Sequence, residues 1–189
     1  KDGVGGSQLV VAPWGDVISL DTRTVHVLSR ADGQVIESGD CCGRPRAIAF
    51  VDHRTAVVVS DEGRVSEVRF PGVMARTVFK LSDGRDYKQG VEHAAVSAQR
   101  VAMVTRDKRL RVFARPGFAV LLDVRFDKRV EDVALSPDGR RVAVGVDDTG
   151  LHIFDITTGK RVTAAGDDVQ GLSFSPDGGE VFGREDHGP

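Results

Sequence analysis

Short stretches of alternating apolar and polar residues run along the chain, and turn residues separate them. In residues 130–166, four such stretches are divided by Ser-Pro-Asp-Gly at 136–139, Asp-Thr-Gly at 148–150 and Thr-Thr-Gly at 157–159. Alternation with a period of two predicts half-buried β-strands. Proline and glycine favour the backbone angles of tight turns. The pattern therefore predicts a unit of four short antiparallel strands.

This unit recurs along the chain. The stretch Val-Glu-Asp-Val-Ala-Leu-Ser-Pro-Asp-Gly at 130–139 returns 39 residues later as Val-Gln-Gly-Leu-Ser-Phe-Ser-Pro-Asp-Gly at 169–178. A second marker is an aspartate in the predicted turn between the second and third strands, found at Asp21, Asp61, Asp107, Asp148 and Asp186. Such a period is the length of a four-stranded propeller blade. We therefore predict an all-β chain, a β-propeller built from four-stranded antiparallel blades.

The repeat register divides the chain into about four and a half blades. The predicted blades are 7–42, 43–90, 91–128 and 129–167, followed by half a blade at 168–189. Residues 1–8 contain three glycines and are poor candidates for the two missing strands. We expect the ring to be incomplete, so that the chain is a piece of a longer polypeptide or part of a ring completed by another chain.

The Ser-Pro-Asp-Gly turns and the strand ending Ile153-Phe154-Asp155 resemble the WD40 repeat family and its bacterial propeller relatives. That family usually ends this strand with Trp-Asp, so Phe154-Asp155 is a variant, and the first three units lack the aspartate. The resemblance is strong from residue 130 onward and weaker before it. It implies a propeller fold but no particular activity, because this fold hosts many unrelated functions.

Composition and scattered polar residues exclude several classes of function. A net charge of −2 and a pI near 6.2 predict no general attraction to nucleic acid or membranes, and no apolar run is long enough to span a bilayer. No metal, cofactor or catalytic motif is present. His26 and His152 occupy equivalent third-strand places, which predicts packing, and the recurring aspartates are interpreted as turn caps.

Cys41 and Cys42 are adjacent, and neighbouring residues are poorly spaced for a disulfide. We therefore expect two unlinked thiols and a cytoplasmic location. Trp14 takes the place of the turn aspartate in the first unit, and we expect it to pack on a neighbouring element.

An insertion at 82–90 breaks the repeat, and extra residues in one repeat often mark a binding face. Tyr87 within it is the only tyrosine, and tyrosine and arginine are enriched at binding hot spots. Connections from fourth to first strands share this face with the turns between second and third strands. The candidate partner-binding residues are Arg44, Arg46, Arg85, Tyr87, Lys88, Lys128 and Arg129.

The leading functional hypothesis is a non-catalytic protein-interaction platform within a larger protein or assembly, which docks an acidic peptide segment of a partner or sister domain. The alternative is a propeller that senses a ligand or partner for a larger signalling or defence protein. A third hypothesis is an enzyme that uses a central channel. The predicted first strands are small and apolar, which argues against an enzyme.

Overall fold

A computed structural model describes residues 8–21, 23–81, 89–166 and 169–185. Every regular element in this part of the chain is a β-strand, so nothing in it forms a helix able to cross a membrane. The strands form four sheets of four strands and one of two, all antiparallel. The predicted all-β class and four-stranded blades are confirmed, and no sheet closes on itself within the described ranges, consistent with an incomplete propeller.

The chain divides into two compact units, Lys1–Gly90 and Val91–Pro189. The first unit holds two sheets. The strands of its first sheet are β1 (Gln8–Val11), β2 (Val17–Leu20), β3 (Thr24–Leu28) and β4 (Val35–Asp40). The strands of its second sheet are β5 (Pro45–Phe50), β6 (Thr55–Ser60), β7 (Arg64–Arg69) and β8 (Met74–Lys80). Strands neighbouring in sequence are neighbours in each sheet, as expected of a meander joined by short turns.

The second unit holds three sheets. The third sheet of the chain contains β9 (Val91–Val96), β10 (Arg100–Thr105), β11 (Arg109–Ala114) and β12 (Val120–Arg125). The fourth sheet contains β13 (Val130–Leu135), β14 (Arg141–Val146), β15 (Gly150–Asp155) and β16 (Arg161–Ala165). The fifth sheet contains β17 (Val169–Phe174) and β18 (Val181–Glu185).

The Ser-Pro-Asp-Gly turn between β13 and β14 is closed by its own side chains. Ser136 Oγ donates a 2.6 Å hydrogen bond to Asp138 Oδ1 and accepts one of 2.9 Å from the Arg141 N–H. The hydrogen bond from Ser136 lowers the pKa of Asp138. Gly139 has a φ of 66°, which glycine adopts without strain. The turn at 175–178 repeats the serine–aspartate bond, so the sequence motif forms the same local structure twice.

Packing between sheets explains the nearly continuous apolar sequence of the second strands. One face of β14 packs towards the third sheet, with Val142 and Val144 in a core that includes Val112. The other face places Ala143 against Leu172 of the fifth sheet. A strand buried on both faces needs apolar residues at consecutive positions.

The two cysteines in the connection between β4 and β5 are not in the state that the sequence predicts. Cys41 and Cys42 are joined by a disulfide, so the expectation of two unlinked thiols was wrong. Cys42 is buried in the core of the first unit and Cys41 packs against the same core. Both side chains therefore occupy one apolar space, which the residue spacing alone does not predict.

Candidate functional site

A polar hollow lies at one end of the first unit. In a meander, the turn from the second to the third strand and the connection from the fourth strand leave the same end of the sheet, which we call the connection end. The hollow there has a volume of about 500 Å³ and takes residues from both sheets. Its polar lining includes Arg23, Asp40, Glu62, Arg64, Ser66 and Thr77. This is the face on which the sequence predicts partner binding.

Charges of both signs border this polar hollow. Arg64 and Glu62 form a 2.7 Å ion pair, but both side chains are about half exposed. A pair so open to water contributes at most about 1 kcal/mol and separates readily. Arg23 and Asp40 are exposed on the facing sheet. Arg64 can therefore release Glu62 and pair with a carboxylate of a partner instead.

Arg44 and Arg46, two of the predicted residues, follow Gly43 of the hollow's lining in the chain. Arg44 is exposed, and its carbonyl accepts a 2.9 Å bond from the Asp61 N–H, which ties the β4–β5 connection to the β6–β7 turn. Arg46 is the extra residue of a β-bulge between Pro45 and Ala47. A bulge changes the direction of a side chain and often occurs near functional sites.

In the second unit, both predicted basic residues at the connection end are paired with carboxylates. The predicted Lys128 forms an ion pair with Asp148, and Arg129 lies 3.3 Å from Glu131. Glu131 is itself the bulged residue of β13, the position that Arg46 occupies in β5. The basic pair of the second unit is therefore accompanied by carboxylates, which the linear sequence did not indicate.

The structure brings the predicted residues together in pairs. Arg44 and Arg46 lie in the first unit, and Lys128 and Arg129 lie in the second. The remaining three, Arg85, Tyr87 and Lys88 of the 82–90 insertion, fall within 82–88, which is outside the described residues. The interface formed by all seven stays a prediction.

Histidines and carboxylates in the described ranges do not form a group of three or more arranged to hold a metal ion. His152 is buried and packs with Phe126 and Phe154, which confirms the predicted packing role. The Arg161 guanidinium, a donor only, lies 3.2 Å from His152 Nδ1, so Nδ1 accepts and Nε2 carries the proton towards Thr149. Burial and the charge of Arg161 lower the pKa of His152.

Sequence reasoning missed a second hollow, which we call the groove, at the opposite end of the first unit. It has a volume of about 270 Å³ and is lined by residues that include Trp14, Ile36 and Phe70. Trp14 packs against Phe50 and Phe70, as predicted, but also faces this hollow. The sequence signal that could have revealed the groove is the unusual tryptophan in a turn.

The comparisons with known proteins concern mainly the second unit. Residues 94–176 match the family described as the anaphase-promoting complex subunit 4 WD40 domain. The matched segment begins within β9 and ends just after β17. No curated protein sequence matches the chain significantly. The resemblance to WD40 propellers is confirmed by this match together with the repeated four-stranded sheets.

Proposed function

We propose that the chain is a non-catalytic protein-interaction platform and that an acidic segment of a partner or sister domain docks at the connection end of the first unit. The observation that carries the proposal is the placement of Arg23 and Arg64 in the lining of a 500 Å³ polar hollow, with the exposed Arg44 directly following Gly43 of that lining in the chain. The WD40 match supports an interaction role because such propellers commonly serve as platforms.

The arginines of the hollow supply donors for an acidic ligand. The Arg64–Glu62 pair is open to water, so a partner carboxylate can replace Glu62 at little net expense. Arginine binds a carboxylate through two parallel N–H donors, which gives direction as well as attraction. Arg44, the exposed residue that follows Gly43 of the lining, adds a positive charge to the same connection. Rim charges of this kind mainly accelerate association.

The test compares a fluorescein-labelled decapeptide of alternating Glu and Ser with the same peptide in which Gln replaces Glu. Fluorescence anisotropy with the whole chain should show binding of the acidic peptide alone, weakening as salt rises. Arg44→Glu combined with Arg23→Glu should reduce affinity by about tenfold or more.

Arg30→Glu is the matched control. Arg30 is an exposed arginine of the same sheet, but it lies in the β3–β4 turn at the opposite end. It should leave affinity within about twofold of the parent chain, since the ends are separated by a full strand. Equal loss with Arg30→Glu, or equal binding of the Gln peptide, would refute the assigned site.

We also propose that the fifth sheet is completed by strands from further sequence of the same polypeptide or from another chain. In the described ranges, β18 pairs with β17 on one side only, and Phe182 is 54% exposed. An open sheet edge is a template for strand addition. Lower amide hydrogen exchange at 181–185 in the complete assembly than in this chain would support the proposal, and equal exchange would refute it. The sensor alternative and the cytoplasmic location stay predictions.

A further inference from the structure

The groove of the first unit forms where the two sheets separate at the end opposite the connection end. The β1–β2 turn brings Trp14 and Asp16 to it, and β4 contributes Ile36 and Glu37. The second sheet closes it with Arg54 and Phe70 from the turns that follow β5 and β7. The groove is therefore separate from the polar hollow and carries a different set of side chains.

The apolar part of the groove is rigid. The Trp14 ring lies edge-on to Phe50, with ring centroids 5.4 Å apart, and its centroid is 5.6 Å from that of Phe70. Phe70 is 4% exposed, so its ring is held by the core beneath. Ile36, which is 58% exposed, lines the same groove. An exposed aliphatic side chain and packed aromatic rings lining one groove suit the binding of an apolar anchor.

The wall formed by the β7–β8 turn is held in place by two contacts with β4. The Gly72 N–H donates a hydrogen bond to Glu37 Oε1. Gly39 lets the turn approach closely, because a Cβ at that position would be 2.9 Å from Val73 Cβ and 3.0 Å from Val73 O. These contacts keep the groove open in one shape, which limits the conformational entropy lost when a ligand binds.

Two carboxylates give the groove its charge. Asp16 accepts hydrogen bonds from Trp14 Nε1 at 2.9 Å and from the Arg30 N–H at 3.2 Å, while Glu37 accepts one from the Gly72 N–H. These donors are neutral, so they orient the carboxylates without cancelling their charge. Both carboxylates are half-buried, whereas Arg54 is exposed and more strongly screened by water. The groove is thus complementary to a cation placed beside an apolar group.

The volume of the groove limits its ligand. About 270 Å³ is just below the range of pockets that enclose drug-sized molecules, but it accommodates a single large side chain. We infer that the groove binds an extended segment of a partner protein whose apolar side chain inserts between Trp14, Ile36 and Phe70. A lysine or arginine next to that anchor pairs with Asp16 and Glu37. This is a second docking surface, with a charge preference opposite to that of the connection end.

Trp14 provides a direct assay, because it is the only tryptophan in the chain and lies in the groove. The probes are four acetylated and amidated hexapeptides, Gly-Ser-X-Z-Ser-Gly, in which X-Z is Leu-Lys, Leu-Glu, Ser-Lys or Ser-Glu. Titration of the whole chain to millimolar peptide should give a saturable change in Trp14 fluorescence with Leu-Lys. Binding of Leu-Glu and Ser-Lys should be at least about fivefold weaker.

Variants separate charge from packing. Asp16→Asn with Glu37→Gln keeps oxygen acceptors for the neighbouring N–H groups, so the fold should persist, and it should weaken Leu-Lys binding about fivefold to tenfold. Ile36→Ser should weaken the same peptide without changing the Lys-over-Glu preference. Asp32→Asn, which removes a charge from the exposed β3–β4 turn outside the lining, should have no more than about a twofold effect.

Equal binding of Leu-Lys and Leu-Glu would overturn the inference, as would a non-saturable response to every peptide. An equal loss in Asp32→Asn would also overturn it, because general charge would then account for the effect. Circular dichroism of each variant confirms folding before titration. Arg54→Gln supplies an independent measurement: removal of this cation should strengthen Leu-Lys binding by about twofold, and weaker binding would contradict the assigned electrostatics.

Discussion

Gly145 marks the closest approach between two sheets of the second unit, and its replacement by alanine should be strongly destabilising. The residue lies in β14, where its backbone faces β17. A Cβ at this position would overlap the Val169 carbonyl oxygen, far inside the 3.4 Å at which ordinary van der Waals contact begins. The obstructing atom belongs to the backbone, so a change of rotamer cannot relieve the clash. The fifth sheet would have to move by more than an ångström.

The expected loss follows from the packing that this movement breaks. Overpacking of a well-filled core usually costs about 1–3 kcal/mol, and a clash with backbone belongs at or beyond the upper end of that range. We therefore expect Gly145→Ala to lower the free energy of unfolding by about 3 kcal/mol or more. Urea unfolding followed by far-ultraviolet circular dichroism measures the change, and amide exchange at 169–174 should rise locally.

Two other glycines of the same unit provide controls. A Cβ at Gly179 would meet only the flexible Asp177 carboxylate, at 3.3 Å or more, so Gly179→Ala should change stability by no more than about 0.5 kcal/mol. A Cβ at Gly183 would overlap Val169 Cγ1 and approach Leu172 Cδ2 at 3.0 Å, and both are side-chain atoms. Val169→Ala should therefore rescue Gly183→Ala in a double-mutant cycle but not Gly145→Ala. If Gly145→Ala were as stable as Gly179→Ala, the close approach would be refuted.

Three further changes test other parts of the fold. Gly39→Ala should displace the β7–β8 turn, because the new Cβ would contact Val73. The free energy of unfolding should fall by about 1–3 kcal/mol, and Trp14 fluorescence should change. An unchanged emission spectrum would contradict this displacement. Ser136→Ala should lower the free energy of unfolding by about 1–3 kcal/mol, because the fully buried Ser136 hydroxyl joins both sides of its turn. Urea titrations measure this loss, and the change of an exposed serine to alanine is the control. Folding lowers the pKa of His152, so the unfolded chain binds the proton more readily than the folded one. The free energy of unfolding should therefore fall as the pH drops below about 6.5. His152→Gln should flatten this pH dependence, and parallel pH profiles for the two proteins would contradict the prediction.

The local structure of this chain could be predicted because its signals lie within a few residues of each other. The short apolar run at 141–146 and the alternation at 169–174 indicate strands, and Ser136 reaches its turn partners within five residues. Repetition of these signals at a 39-residue spacing extends the prediction to whole blades. The all-β class and the resemblance to WD40 propellers therefore followed from the sequence. The packing of Trp14 also followed from its place in a turn.

Only the tertiary structure decided which side chains meet. The Lys128–Asp148 ion pair joins residues 20 positions apart, and the groove brings Asp16 and Phe70 together from different sheets. Gly145 looks like any strand glycine in the sequence, and its constraint appears only when Val169 is placed opposite it. Secondary structure depends on periodicity and turn chemistry along one segment, whereas charge pairing and close approach depend on distances between segments. A repeat specifies the sheets, and the way the sheets pack specifies their surfaces.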